Sequence, residues 1–387
     1  MICSFYTEAV FEQDADGRIF AIAGLDESIW AEMLGVFTGI RIVARVRHVA
    51  VPSNPHLLSD PRIDLFALPF YQGLRAFAWR VPRLLAALWR SVHADGAYLL
   101  RLPGPIGTGA ALALALRGRR FAVQLVGDPG AVLSSQTISS VARRLRGVVM
   151  SATRWACRSA TVISYVTSST LQRVYPPDPD ATSFACSDIS LPDSWFADRP
   201  RDLSRPASLF LCGSLAQRYK GADLLIEAVR LLQKTGIDLT AVIAGDGFYR
   251  NELEQQAFRA GVANSVRFLG AIPPAEIAKQ LDDCTIFVIP SRTEGLPRAL
   301  IEALAKGVPS IGSQVGGIPE LLKPSELVPP EDASALASAI NALLTDPARY
   351  REVSEWALRR AQAFRPAPLL AARAAFYEAV RASGEPS

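Results

Sequence analysis

Two glutamates eight positions apart, Glu294 and Glu302, bracket what reads as the start of a helix. Gly295 permits a backbone conformation that other residues resist, Pro297 suits the first turn of a helix, and Ala299 to Ala305 are strong helix formers. Glu294 is therefore expected in a loop and Glu302 on the helix, about 7.5 Å beyond Pro297 at about 1.5 Å per residue. A helix start presents unpaired backbone N–H groups and a partial positive charge, which suits a phosphate. Carboxylates on either side of it fit a ligand with hydroxyls at both ends and a diphosphate between them, as in a nucleotide sugar. The plainer alternative is a solvated ion-pair ladder of Arg298, Glu302 and Lys306, each four apart.

Such a site needs strands behind it. Thr285 to Ile289 is a short apolar, β-branched run that reads as a buried strand, and Pro290 ends it. In an open α/β sheet, ligands bind in the crevice beyond the carboxyl ends of the strands. A second loop of the same kind, Gly213-Ser-Leu-Ala-Gln-Arg-Tyr-Lys-Gly221, follows the strand-like run Leu209 to Cys212.

The segment Glu294-Gly-Leu-Pro-Arg-Ala-Leu-Ile-Glu302 resembles the E-x7-E motif of the retaining GT-B glycosyltransferases, in their largest group. The stretch from Gly307-Val-Pro to Gly316-Gly-Ile-Pro-Glu320 is similar to that group's G-x-P strand and G-G-x-x-E turn. The likeness is strong from about Leu209 to Phe364 and weak before that. It implies an α/β protein with two Rossmann-like doubly wound domains facing a central cleft, the acceptor held by the first and the donor by the second.

The same resemblance assigns roles. Glu294 would touch hydroxyls of the transferred sugar and Glu302 the ribose hydroxyls, with Gly213, Ser214, Gly295 and Leu296 lining the donor. Lys220 would neutralise the diphosphate, and Glu294 and Lys220 are the candidate catalytic residues. Ser214 stands where the group usually has arginine, and Arg218, two residues before Lys220, is the replacement on offer. Breaking the anomeric bond builds positive charge on the sugar and negative charge on the leaving diphosphate, so a cation clamp and a nearby carboxylate are the physical need. The group retains anomeric configuration by front-face attack, which requires no protein nucleophile, and works without a divalent metal or other cofactor. In the first domain the group's glycine pair and acceptor-facing histidine are replaced by Asp14-Ala-Asp-Gly17 and Gly127-Asp128. Asp128 is thus either an acceptor contact or an ordinary turn residue before proline.

Along the chain, strands at Ile40 to Val46, Leu65 to Pro69, Ala97 to Leu102, Phe121 to Val126 and Ala160 to Val166 alternate with helices. One helix, Val81 to Arg90, is amphipathic with arginines on its outer side, and others lie at Ile106 to Leu116 and from about Ile138 to Cys157. Proline-rich stretches at 176–179 and 192–206 read as a linker. Further strands at Leu239 to Ala244 and Val266 to Leu269, with helices between them, complete a second doubly wound sheet. The expected division is residues 1–200 and 201–365, which the resemblance makes the acceptor and donor domains, and the resemblance implies that a terminal helix over 366–387 packs back on the first.

Composition sets the outer limits. At 387 residues, 50% apolar and 20% charged, the chain suits two globular domains. Its five cysteines lack metal or redox spacing and its three histidines lack ligand partners, so reduced thiols, a cytoplasmic location and no metal are expected. The first eighteen residues have no basic start and no apolar core, hence no signal peptide, and arginines interrupt every apolar run of membrane-spanning length. A net charge of +4 conceals an asymmetry. Between Arg62 and Arg173 lie fifteen arginines, no lysine and three acids, Asp64, Asp95 and Asp128, a surplus of twelve positive charges. Such a field attracts the phosphates of a membrane surface, a lipid-linked substrate or a nucleic acid, with biased composition as the bland alternative; with the resemblance, a glycan or lipid-linked acceptor and no nucleic acid partner are expected. A nicotinamide-dependent oxidoreductase would need a Gly-x-Gly-x-x-Gly after a strand, but Gly245-Asp-Gly247 is followed by arginine at 250. A non-catalytic nucleotide-sugar binding protein would keep the same donor residues.

Overall fold

The computed structural model describes residues 1–21, 27–53, 56–93, 96–134, 143–203 and 206–385. The chain divides into two compact units, one of Met1–Gly130, Arg144–Cys186 and Leu370–Ser387, the other of Ala131–Arg143 and Ser187–Leu369. The expected helix start near Ile138 lies outside the described residues.

The first unit holds β1 (Ile2–Gln13), β2 (Ile19–Ala21), β3 (Gly39–His48), β4 (His56–Leu57), β5 (Ile63–Leu68), β6 (Ala97–Leu102), β7 (Ala122–Leu125), β8 (Val162–Tyr165) and β9 (Thr182–Ala185). Its parallel part runs in the order β5-β3-β1-β6-β7-β8-β9, and β2 and β4 extend β1 antiparallel. The central strands are buried on both faces, which is why they read as apolar runs rather than alternations. Phe376, Tyr377 and Val380 of the helix Pro366–Ser383 join this core with Phe5, Trp30 and Leu99.

The second unit is a six-stranded, wholly parallel sheet: β10 (Ala207–Cys212), β11 (Leu239–Ala244), β12 (Val266–Gly270), β13 (Ile286–Ile289), β14 (Ser310–Ser313) and β15 (Leu327–Val328). The order is β12-β11-β10-β13-β14-β15. Register pairs Leu209 with Ile286 and Phe287 with Ser310, so the loops leaving β10, β13 and β14 emerge side by side at the carboxyl edge. One sheet face packs on Leu225, Val229 and Ile340, the other on Leu300, Leu304 and Leu321.

Two readings need amending. Of the stretch 192–206 expected as a linker, the described residues 192–203 are packed: Phe196 is buried in the second unit's core, beside Ile189 and Leu191 just before the stretch, and the Arg201 guanidinium donates to the carbonyls of Asp282, Cys284 and Lys306. It lacks periodicity because its backbone is irregular, not because it is free. The helix expected from Val81 begins at Gly73 and runs to Ser91, with Pro82 inside it. An interior proline costs one backbone bond, and here the Tyr71 and Phe77 rings, 5.1 Å apart, pack at the turn before it.

Candidate functional site

The loop after β10 closes in a short 3-10 turn, Arg218–Lys220, and Gly221 leads into the helix Ala222–Lys234. The loop after β13 leads into the helix Arg298–Ala305. A backbone bond joins them, Arg292 N–H to the Tyr219 carbonyl at 2.7 Å. Lys220 and Glu294 meet across this seam: Nζ stands 2.7 Å from Oε1, with the two side chains only 15% and 8% exposed. Ser291 Oγ donates to the same Glu294 oxygen at 2.8 Å.

Small residues make this approach possible. The Lys220 stem lies over Gly213, where an added Cβ would fall 2.7 Å from Cε. A Cβ on Gly316, which has a φ of +53°, would meet the Glu294 carbonyl at 1.9 Å, and the next N–H, that of Gly317, donates to the Gly295 carbonyl at 2.8 Å. The glycine pair after β14 therefore seats the loop that carries Glu294. Leu296, half-buried in the same loop, packs against the core beneath.

Glu302 lies on the helix with its carboxylate buried and accepts from Arg298 Nε at 2.9 Å. Burial pushes its pKa up, and Arg298, 64% exposed, offsets part of that. The ladder alternative is half formed, since Lys306 pairs with Asp282 instead. Cys212, at the end of β10, lies between the charges: burial raises its thiol to about 11, Glu302 adds to the shift and Lys220 opposes it. Lys220, Glu294 and Glu302 thus surround one strand end.

Other expected donor residues are placed differently. Arg218 turns to Glu252 and stacks over the Tyr249 ring at 5.2 Å, while Ser214 Oγ accepts from Ala216 N–H. Asp128, in the first unit, accepts from Gly130 N–H at 2.8 Å, as a turn residue does, and also from the Tyr175 hydroxyl, 47 positions away. Among the described residues no three His, Cys, Asp or Glu side chains converge as a metal site would need.

Two groups escaped the sequence reading. Arg292 donates to both carboxylate oxygens of Asp223 at 2.8 Å, to Glu331 and to the Arg218 carbonyl, bracing the loop that carries Lys220. Its partners are 69 and 39 positions away, so no local spacing could signal it. In the first unit, Glu8 accepts from Ile106 N–H at 2.6 Å at the start of the helix Pro105–Leu116 and from the Tyr71 hydroxyl at 3.1 Å. Burial pushes its pKa up.

Residues 198–360 match the family described as glycosyl transferases group 1. This segment is a glycosyl transferases group 1 domain. The described strands, loops and paired side chains of that domain fall almost wholly within the match. Protein CapJ of Staphylococcus aureus is 24% identical over 331 residues, which cover 85% of this chain and 83% of CapJ. A GDP-mannose-dependent alpha-(1-6)-phosphatidylinositol monomannoside mannosyltransferase of Mycolicibacterium smegmatis is 32% identical over 198 residues, 48% of each chain. Among solved structures, sucrose-phosphate synthase of Thermosynechococcus elongatus superposes with a TM-score of 0.71 at 19% identity, covering 99% of this chain and all of the other. Anabaena Alr3699/HepE, solved in complex with UDP, gives 0.65 at 19% identity, with 96% and 98% covered. These likenesses identify the fold as GT-B, two Rossmann-like parallel sheets with their helices.

Proposed function

We propose that the protein moves a sugar from a nucleotide-diphosphate sugar to a glycan acceptor with retention of anomeric configuration and without a divalent metal. The observation that carries this reading is the 2.7 Å contact of Lys220 with Glu294 at the carboxyl ends of β10 and β13, with buried Glu302 on the helix that follows. In the reaction the bond from the anomeric carbon to the diphosphate oxygen breaks, and a bond from the acceptor oxygen to that carbon forms on the same face. The acceptor's proton passes to the departing diphosphate. Lys220 and the start of the helix Arg298–Ala305 offset the negative charge on the leaving group, and Glu294 orients the sugar through its hydroxyls. Glu302 holds the ribose.

The acceptor belongs to the first unit in this reading and is a lipid-linked or polysaccharide glycan in the assembly of a cell-surface polysaccharide. The surplus of arginines in the first half supports work at the inner, cytoplasmic face of an anionic membrane, as does the mannosyltransferase relative, whose name gives a phosphatidylinositol monomannoside. The test is release of nucleoside diphosphate from a panel of nucleotide sugars in the presence of a chelator. Slow hydrolysis of at least one donor, lost in Lys220→Ala and Glu294→Gln, is the expected result. Tight nucleotide binding with no turnover of any donor would make it a binding protein instead.

A further inference from the structure

The first unit contains an open groove of about 930 Å³ at the carboxyl ends of β3 and β5, closed on its other side by the helix Gly73–Ser91. Val46, Leu68, Phe70 and Trp89 give it apolar walls. Arg80, Arg83, Ala86, Ala87 and Arg90 line it from the helix, a single stripe at spacings of three, four and seven residues. Over this stripe Arg80 and Arg83 are about 4.5 Å apart along the axis and Arg90 about 10.5 Å further on, at about 1.5 Å per residue. His48 adds a further polar group, and no acid lines the groove. Among the described residues none of the three arginines forms an ion pair, whereas on the strands of the same sheet Arg41 pairs with Asp64 and Arg47 with Glu12. The Trp89 wall is held in place by the Arg117 guanidinium, 4.1 Å from its ring centroid.

Unpaired guanidiniums around an apolar trough are complementary to one chemistry, an anionic head joined to an apolar chain. A free anion would leave the walls wet, and a neutral lipid would leave the arginines unanswered. We infer that this groove binds the phosphate or diphosphate head and the first carbons of a lipid-carried acceptor, with the head between Arg80, Arg83 and Arg90 and the chain against Val46, Leu68 and Trp89. This rests on the reading of the first unit as the acceptor's, and it adds the chemical class and the place of the acceptor's carrier.

The experiment is calorimetric titration of the full chain with decyl diphosphate below its micelle concentration, beside inorganic pyrophosphate and decanol. Each methylene buried is worth about fourfold in affinity, so decyl diphosphate should bind at least ~100-fold more tightly than pyrophosphate, and decanol should not bind measurably. Arg83→Gln should weaken decyl diphosphate about tenfold or more, as expected for losing one charge-assisted contact. Ala86→Trp, which fills the trough and leaves every charge in place, should weaken decyl diphosphate while sparing pyrophosphate; equal thermal melting of each variant shows that it is folded. Pyrophosphate binding as tightly as decyl diphosphate, decyl diphosphate indifferent to both substitutions, or binding seen only with anionic vesicles would each overturn the groove. Donor turnover by the unsubstituted protein without decyl diphosphate binding refutes the groove alone. Binding without turnover of any nucleotide sugar refutes the transferase reading instead.

Discussion

Lys220 and Glu294 neutralise each other at 2.7 Å, although they lie 74 positions apart and on loops leaving different strands. In the proposed reaction these two groups serve as the cation for the diphosphate and the carboxylate for the sugar, so the donor would insert between partners already in place. Removing Lys220 leaves a nearly buried carboxylate whose remaining hydrogen-bond partner among the described residues is Ser291, which is costly. Lys220→Ala should therefore reduce kcat/KM by an amount equivalent to about 2 to 5 kcal/mol. Glu294→Gln keeps the shape and removes the charge, and should lower kcat while leaving nucleoside diphosphate affinity near the original. Steady-state kinetics and calorimetry on both variants check this, and unchanged kcat in either would contradict the pairing.

Glu302 makes a pH argument. Burial holds its pKa above the ordinary carboxyl range, so the folded protein keeps this proton more tightly than the unfolded chain does. The stability linked to Glu302 is thus present below the unfolded pKa and is lost as pH rises through the folded one. Nucleotide binding through the proposed ribose contact would run the other way, because only an ionised carboxylate accepts from both ribose hydroxyls. Affinity for a nucleoside diphosphate should fall on acidification, beginning above the range of a free glutamate. In Glu302→Gln, affinity for donor and free nucleotide should both drop and the pH dependence should flatten. A titration series between pH 4 and pH 8 decides it.

Much of this site was legible because its signals are local. A strand, a glycine, a proline and a run of helix formers stand in sequence around Glu294, and the same holds at Gly213 to Gly221. Lys220 was legible as a cation, but its partner was not, since register between β10 and β13 sets that contact. Arg292 was illegible for the same reason, and so was Glu8, which meets Ile106 98 positions away. The stretch 192–206 reads as a linker because packing of irregular backbone leaves no period. The helix Gly73–Ser91 was cut short at its proline for want of any sign that neighbouring rings support the first turns.

Arg292 holds the Lys220 loop through a planar fork that lysine does not possess. It grips both oxygens of Asp223 and, in the same plane of contacts, Glu331 and the Arg218 carbonyl. Arg292→Lys keeps the charge and should still misplace Lys220, raising KM for the donor by about tenfold and lowering kcat, while melting changes little. Arg292 touches no donor in this account, so added guanidinium should restore part of the lost activity to Arg292→Ala, which a purely structural collapse would not allow.

Arg218 presents a different balance. Its pair with Glu252 is half exposed, and pairs of that kind contribute about 0 to 1 kcal/mol, so a diphosphate can recruit the guanidinium. If it takes the place left by the serine at 214, Arg218→Ala should weaken the donor and free nucleotide alike by at least tenfold, with melting unchanged. Glu252→Gln, which frees the guanidinium, should leave affinity equal or higher. Equal affinity in Arg218→Ala and the unsubstituted protein would leave Lys220 as the sole cation of the clamp.

The basic surplus of the first half predicts attachment to an anionic surface through the helix Gly73–Ser91. Beside its arginines this helix presents Trp79 at 88% exposure, together with Leu85 and Trp89, so it offers both charge and apolar anchors to a bilayer interface. Among the described residues no helix is long and apolar enough to cross a membrane, so any attachment by a helix of this set would be peripheral. Each basic residue near an anionic surface contributes about 1 kcal/mol, and exposed charges are screened beyond about 8 to 10 Å at physiological salt. Co-flotation with vesicles containing phosphatidylserine should therefore be strong at low salt and weaken steeply as salt rises. Replacing Arg80, Arg83 and Arg90 by glutamine should remove most of the binding at low salt. Trp79→Ala should instead remove the fraction that persists at high salt, because burial of an indole is not screened. Absence of binding even at low salt would move the acceptor to a soluble molecule and leave the arginine excess as a matter of composition.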